Sequence, residues 1–185
     1  MIVQIRGTSG SGKTTVMRKI MEGLGHWSPE HIEGRKQPWL SRSYHGTDPT
    51  NIVVLGHYES ACGGCDNIGS APQVYDCIKG EANADIFLTE GLLWSEDVNW
   101  TVKLVEEGYD VKPLFLTTPL AQCIEWILKR RAEAGNTKPF NSKITVRRHR
   151  TVERARQRFL AQNVNCFRVS PNQAAKTVLN WIRNY

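Results

Sequence analysis

Gly7-Thr8-Ser9-Gly10-Ser11-Gly12-Lys13-Thr14 satisfies the phosphate-binding pattern G-x-x-x-x-G-K-[ST] at every fixed position, with Thr15 directly behind it. Its flanks agree with the pattern. Ile2, Val3 and Ile5 form a short apolar run ahead of it, as a buried strand would, and Val16, Met17, Ile20, Met21 and Leu24 follow at helical spacing. Strand, glycine loop and helix together let backbone N–H groups close around phosphate oxygens, with the positive end of the helix dipole behind them. Lys13 is then expected to reach the β- and γ-phosphates, and the Thr14 hydroxyl to ligate Mg²⁺. The motif predicts a nucleoside triphosphate site over Gly7–Thr15, with ATP and Mg²⁺ as the expected ligands.

At 185 residues the chain is expected to form one domain, spanning 1–185, with enough length to bury a sizeable core. No apolar run is long enough to cross a membrane, and the start runs straight into the first strand, so neither a membrane span nor a signal peptide is expected. Five cysteines, an odd number, read as reduced thiols and predict a cytoplasmic setting. The net charge is +6, but it is unevenly spread. Between Lys129 and Arg158 eleven Lys and Arg face two acids, Glu133 and Glu153, a local balance of +9 that leaves about −3 for the remainder. An anion-binding lid over ATP needs only two or three arginines. The excess leans toward a polyanion such as nucleic acid.

Buried strands are predicted at Ile2–Ile5, Ile52–Leu55, Ile86–Leu88, Val111–Leu116 and Cys166–Val169. Helices are predicted from Lys13 to about Gly23, from Ser70 to Gly80, from a Ser95 cap to Gly108, from Thr118-Pro119 to Lys129-Arg130-Arg131, from Thr151 to Gln162, and from Ser170-Pro171 onward. In the fourth of these, Leu120, Ile124, Ile127 and Leu128 are expected on one inward face. His26 to Thr50 reads as polar and irregular, with Arg35 to Tyr44 a candidate extended hairpin. Gly135 to Arg150 reads as a basic segment of little periodicity and expected mobility, making a lid of approximately 129–150. Alternating strands and helices predict an α/β fold in three layers, with a five-stranded parallel sheet flanked by helices. Ligands to such sheets sit beyond the carboxyl ends of the strands, which gathers the loops after each strand around the glycine loop.

Taken with Leu116-Thr117-Thr118-Pro119-Leu120 leading to a helix that ends Lys129-Arg130-Arg131, and with Val169-Ser170-Pro171-Asn172, the loop resembles those of the small P-loop kinases of the adenylate, gluconate and shikimate kinase type. The resemblance runs nearly end to end. It implies that the last loop lies beside the nucleotide base and that Arg130 and Arg131 close over the phosphates. Gly56-His57-Tyr58-Glu59 followed by Cys62-Gly63-Gly64-Cys65-Asp66 is unlike the common metabolite kinases and resembles the phage kinases that act on 5-hydroxymethyluracil in DNA. That likeness implies an acceptor hydroxyl on the C5 substituent of a pyrimidine, displayed in the major groove and reached there or by base flipping. His57, Tyr58, Arg147 and Arg148 are then the expected substrate contacts. In similar kinases a carboxylate after the second strand serves as base, which points to Asp66 and then to Glu59. Glu90, after three apolar residues, better fits a Mg²⁺ partner alongside Thr14.

Cys62 and Cys65 could supply two zinc ligands with His57 and Cys77 near in sequence, but a strong zinc signal has two such pairs. The preferred reading is that small side chains and two glycines let this loop approach a substrate closely. Tyr58, Trp39 and Trp94 are candidate stacking partners for a base, or simply core residues. Two other classes stay open: a kinase of a free nucleoside, nucleotide or other small alcohol, and a nucleotide-binding module without transfer activity.

Overall fold

In the computed structural model, which describes residues 1–30, 40–43, 50–58 and 63–185, strand β1 (Ile2–Arg6) is buried along its whole length. It lies between two parallel neighbours, which later in the chain become β5 (Ile86–Glu90) and β6 (Val111–Leu116). Helix α1 (Lys13–Leu24) follows the glycine loop. Next come β2 (Trp27–Glu30), β3 (Leu40–Ser43) and β4 (Ile52–Leu55), then α2 (Ala71–Gly80). Beyond β5 stand a five-residue helix α3 (Leu92–Glu96) and α4 (Asn99–Glu106). After β6 come α5 (Leu120–Glu133), α6 (Ser142–Ala161), β7 (Phe167–Val169) and α7 (Pro171–Arg183). The sheet order is β2-β3-β4-β5-β1-β6-β7.

The five strands legible in the sequence are the parallel set β4-β5-β1-β6-β7. Among the described residues the sheet has seven strands rather than five, because β2 and β3 add antiparallel to the β4 edge. Of the candidate hairpin Arg35 to Tyr44, β3 accounts for 40–43, and its partner is β2, upstream of that span. Residues 35–39 and Tyr44, with Trp39 among them, lie outside the described residues. Strand β2 escapes a periodicity reading because it reads Trp-Ser-Pro-Glu, with a proline that only an edge strand tolerates.

Side chains alternate across the sheet and build a core on each face. On one face Val3, Ile5, Val54, Leu88 and Leu114 pack against Val16, Met17 and Ile20 of α1 and Val178 of α7. On the other, Ile2, Val53, Leu55 and Phe87 meet Val74, Ile78, Trp94 and Leu104. That second layer continues where Phe115 meets Val98, Val152, Ala155 and Phe159.

Three local expectations are corrected. Helix α6 begins at Ser142, not Thr151, so the second half of the expected mobile segment is regular helix. Its inward stripe is Thr145, Val152, Ala155 and Phe159, and the polar Thr145 conceals the period at the N-terminal end. The Asn141 side chain caps the helix by accepting from the Lys143 N–H at 3.0 Å. Ser95 does not open a helix but sits inside α3, and α4 starts afresh at Asn99 with the Asp97 carboxylate accepting from the Thr101 N–H at 3.2 Å. Leu128 faces solvent, and the inward residues of α5 are Cys123 and Ile127.

Candidate active site

The loop between β1 and α1 closes where it does because its glycines permit it. Gly10 and Gly12 have φ of +74° and +95°, a region L side chains seldom adopt. A Cβ on Gly10 would stand 2.3 Å from the Cys123 carbonyl oxygen of α5. Within the ring so formed, the Lys13 ammonium donates to the carbonyls of Gly7 at 3.0 Å and Thr8 at 3.2 Å. Burial pulls its pKa down, and the nearby carboxylates of Glu90 and Asp66 work against that.

Two acids reach the loop from neighbouring strands. The Thr14 hydroxyl donates to Glu90 Oε1 at 2.8 Å, which joins the end of β5 to the start of α1. Glu90 is 1% exposed, and burial pushes its carboxyl up to about 7 against the opposing pull of Lys13 and the Thr14 hydrogen bond. The close approach that the Gly63-Gly64 pair permits is to Glu90 itself. Gly64 has φ of +88°, and a Cβ there would lie 2.4 Å from the Glu90 carbonyl oxygen. Asp66 sits in a short 3-10 turn (Cys65–Asn67) directly after it, and its two carboxylate oxygens accept from the N–H groups of Leu92, at 2.9 Å, and Leu93, at 3.0 Å. Lys13, Thr14, Asp66, Glu90, Arg18 and Arg130 thereby line one cavity of about 420 Å³, together with Ser9, Gly10, Gly12 and Thr15. A second cleft of about 260 Å³ opens on the other side of Gly12, between Trp126 and the Pro171-Asn172 turn.

Glu90 gives the protein free of ligands a pH signature. Its proton is held more tightly in the folded chain (about 7) than in the unfolded one (about 4.5), so stability falls as pH rises through that window. The loss attributable to Glu90 amounts to about 3 kcal/mol at most. Urea unfolding at stepped pH, with a chelator present, should show the wild type losing stability between pH 5 and 8 relative to Glu90→Gln. A difference between the two proteins that stays constant with pH would refute the assignment.

Other expected site residues stand elsewhere. Arg131 turns away from the cavity, bonding Asn136 Oδ1 at 3.2 Å and the Lys138 carbonyl, with its guanidinium 5.9 Å from the Phe140 ring. Arg148 is engaged with both oxygens of Glu96 at 3.1 Å, and Arg147 points outward with Arg150. His57 is buried, its carbonyl accepting from the Gly64 N–H at 3.1 Å, and its Nδ1 has no partner among the described residues. Tyr58 packs against the α1-side core, with its carbonyl accepting from Arg18 at 3.1 Å. Trp94 is a core residue. Glu59 and Cys62 lie outside the described residues. The Cys65 thiol is buried in the core and burial pushes its pKa well up, away from the thiolate a zinc site needs.

Arg6 was not among the expected residues, although a charge inside an apolar strand just ahead of Gly7 was a visible signal. It is fully buried, and its guanidinium is satisfied by Gln4 Oε1 (2.8 and 3.0 Å), the Asp97 carbonyl (2.6 Å) and the Thr101 hydroxyl. The ring of Phe159 lies 4.7 Å away and those of Phe115 and Trp94 about 6 Å away. Burial pulls its pKa down to about 10. Arg6 therefore clamps β1, α4 and α6 together one residue before the loop. Ser95 completes the support, accepting from the Gly7 N–H at 3.1 Å while it donates to the Gly91 carbonyl.

A glycine loop that leads from the central strand into a helix, faced by acids from the next strands of a parallel sheet, defines a phosphotransferase of the P-loop kinase class. No family model matches the chain. It is 41% identical over 139 residues to a 5-hmdU DNA kinase of Pseudomonas phage PaMx11, covering 75% of this chain and 73% of that one. A 5-hmdU DNA kinase of Pseudomonas phage M6 is 25% identical over 195 residues, covering 98% and 97%. The chain belongs to the family of the phage 5-hmdU DNA kinases. Among solved structures, a deoxyadenosine kinase from M. mycoides with bound dCTP aligns at 18% identity with a TM-score of 0.42, over 100% of this chain and 97% of that one. Among the described residues, no helix is long and apolar enough to cross a membrane.

Proposed function

We propose that the chain transfers the γ-phosphoryl group of ATP to the hydroxymethyl oxygen of 5-hydroxymethyluracil in DNA, in the cytoplasm of an infected bacterium. The observation that carries this reading is the meeting of Lys13, the Thr14–Glu90 pair, Asp66 and Arg130 in one cavity, in a chain of this family. The loop backbone and Lys13 hold the β- and γ-phosphates, and the cleft at Trp126, Pro171 and Asn172 takes the nucleotide base. The acceptor oxygen attacks the γ-phosphorus, the bond to the β–γ bridging oxygen breaks, and ADP leaves. The acceptor's proton passes to Asp66, whose two backbone hydrogen bonds fix the carboxylate while leaving each oxygen a free lone pair. Lys13 and Arg130 offset the charge spread over the γ-phosphoryl oxygens. Thr14 and Glu90 offer paired hard oxygen donors at the inner edge of the cavity, as Mg²⁺ requires. When bound there, Mg²⁺ supplies charge compensation to the phosphates. Glu59 is the alternative base.

Incubation with γ-labelled ATP and either duplex DNA containing 5-hydroxymethyluracil or the free nucleoside tests the acceptor. Label is expected in the DNA. Label in the free nucleoside alone would replace this reading with a small-molecule kinase, and release of label to water alone would remove the transfer step.

A further inference from the structure

We propose that the outward face of α6, carrying Lys143, Arg147, Arg150 and Arg154, is the track along which the duplex lies during phosphorylation. This rests on DNA being the acceptor. The four residues recur at intervals of four, three and four and so share one helix face. They are exposed, and they stand opposite Thr145, Val152, Ala155 and Phe159, which pack inward.

The basic residues of α6 divide sharply. Arg148 is bound to Glu96, Arg156 to Glu153 and Arg158 to Asn99, so these fasten the helix or shield its one acid. Among the described residues, the side chains of Lys143, Arg147, Arg150 and Arg154 have no ion-pair or hydrogen-bond partner. They frame a shallow cleft of about 320 Å³. A helix face exposed only to water ordinarily mixes signs, because like charges three or four apart each cost about 0.2–0.5 kcal/mol. Here three such pairs stand in line, and the one acid of the helix, Glu153, is engaged by Arg156, a pattern that a row of phosphates would relieve.

The stripe is about 16 Å long at a 1.5 Å rise per residue, which matches about five base pairs at 3.4 Å each. It is also joined to the site. Residues 134–141 connect it to the last turn of α5, where Arg130 lines the phosphate cavity. Arg148 ties it to α3, whose first N–H groups are held by Asp66. A membrane surface is a poorer match, since an interfacial helix needs a broad apolar face and this one offers only Val146 and Ile144 near the cations.

The test compares wild type with the K143Q/R147Q/R150Q/R154Q variant, and with R147K/R150K/R154K as a charge-keeping control. Affinity for a 5-hydroxymethyluracil duplex is read by fluorescence anisotropy across salt concentrations, and KM is measured for duplex and for ATP. With four phosphates released, the slope of log affinity against log salt should flatten by about 3.6 in the glutamine variant. Affinity at about 0.1 M salt should fall on the order of 10³-fold. The lysine variant should keep the wild-type slope, and the KM for ATP should hold in both, which also reports that the fold is intact. A wild type that phosphorylates DNA, with a glutamine variant of unchanged slope and duplex KM, overturns the track and leaves the acceptor assignment standing. A wild type that labels only free nucleoside overturns the acceptor and the track with it. Loss of binding to anionic vesicles with duplex affinity unchanged overturns it in favour of a membrane surface.

Discussion

Lys13→Ala is expected to lower turnover by about 10³-fold or more while the protein still folds. The ammonium is buried and, among the described residues, donates to the carbonyls of Gly7 and Thr8, so its removal deletes a desolvated charge and two hydrogen bonds inside a loop that its glycines already shape. In the proposed mechanism the lost charge is the one aimed at the γ-phosphoryl group in the transition state. Binding alone would account for a rise in the KM for ATP. A fall in turnover at saturating ATP shows that the interaction strengthens as the phosphoryl transfers. Steady-state transfer from γ-labelled ATP, with thermal unfolding as a check on folding, measures both. Near wild-type turnover in this variant would overturn the phosphoryl-transfer chemistry at its first step.

Much of this arrangement was legible in the chain because the phosphate loop constrains its own surroundings. Glycines at fixed spacing between an apolar run and a helical repeat locate the central strand, the loop and α1 at once. Four more apolar runs then supply the other parallel strands. Glu90 could be placed beside Thr14 because it ends a buried strand adjacent to the loop, and the structure puts the two 2.8 Å apart. What stayed hidden depended on pairing that leaves no hydrophobic period. β2 is a polar edge strand, and the first half of α6 turns a threonine inward and cations outward. Arg6 looks like a surface residue by type, and only the convergence of Gln4, Thr101 and the Asp97 carbonyl explains why a guanidinium is stable there. The arginines expected to form a lid show the same limit, since Arg130 and Arg131 are adjacent in sequence yet point about 100° apart around the helix, one into the cavity and one onto the Asn136 turn.

Asp66→Asn is expected to lower turnover by about 10²-fold or more with little change in the KM for ATP. The carboxylate serves two purposes, and the substitution separates them. As a structural group it accepts the N–H groups of Leu92 and Leu93 and so holds the start of α3. Asparagine keeps one acceptor oxygen and loses the other, which costs about 1.5–3 kcal/mol for a hydrogen bond to a charged acceptor and leaves the cavity wall in place. As a chemical group it is the proposed acceptor of the hydroxyl proton, a role an amide cannot fill. A merely structural role predicts a lower melting temperature with turnover nearly intact. A base predicts a large fall in turnover in addition. Glu59→Gln belongs in the same experiment, as the other carboxylate that follows β4. If Glu59→Gln reproduces the loss while Asp66→Asn turns over normally, the proton goes to Glu59 and Asp66 is left as the anchor of α3.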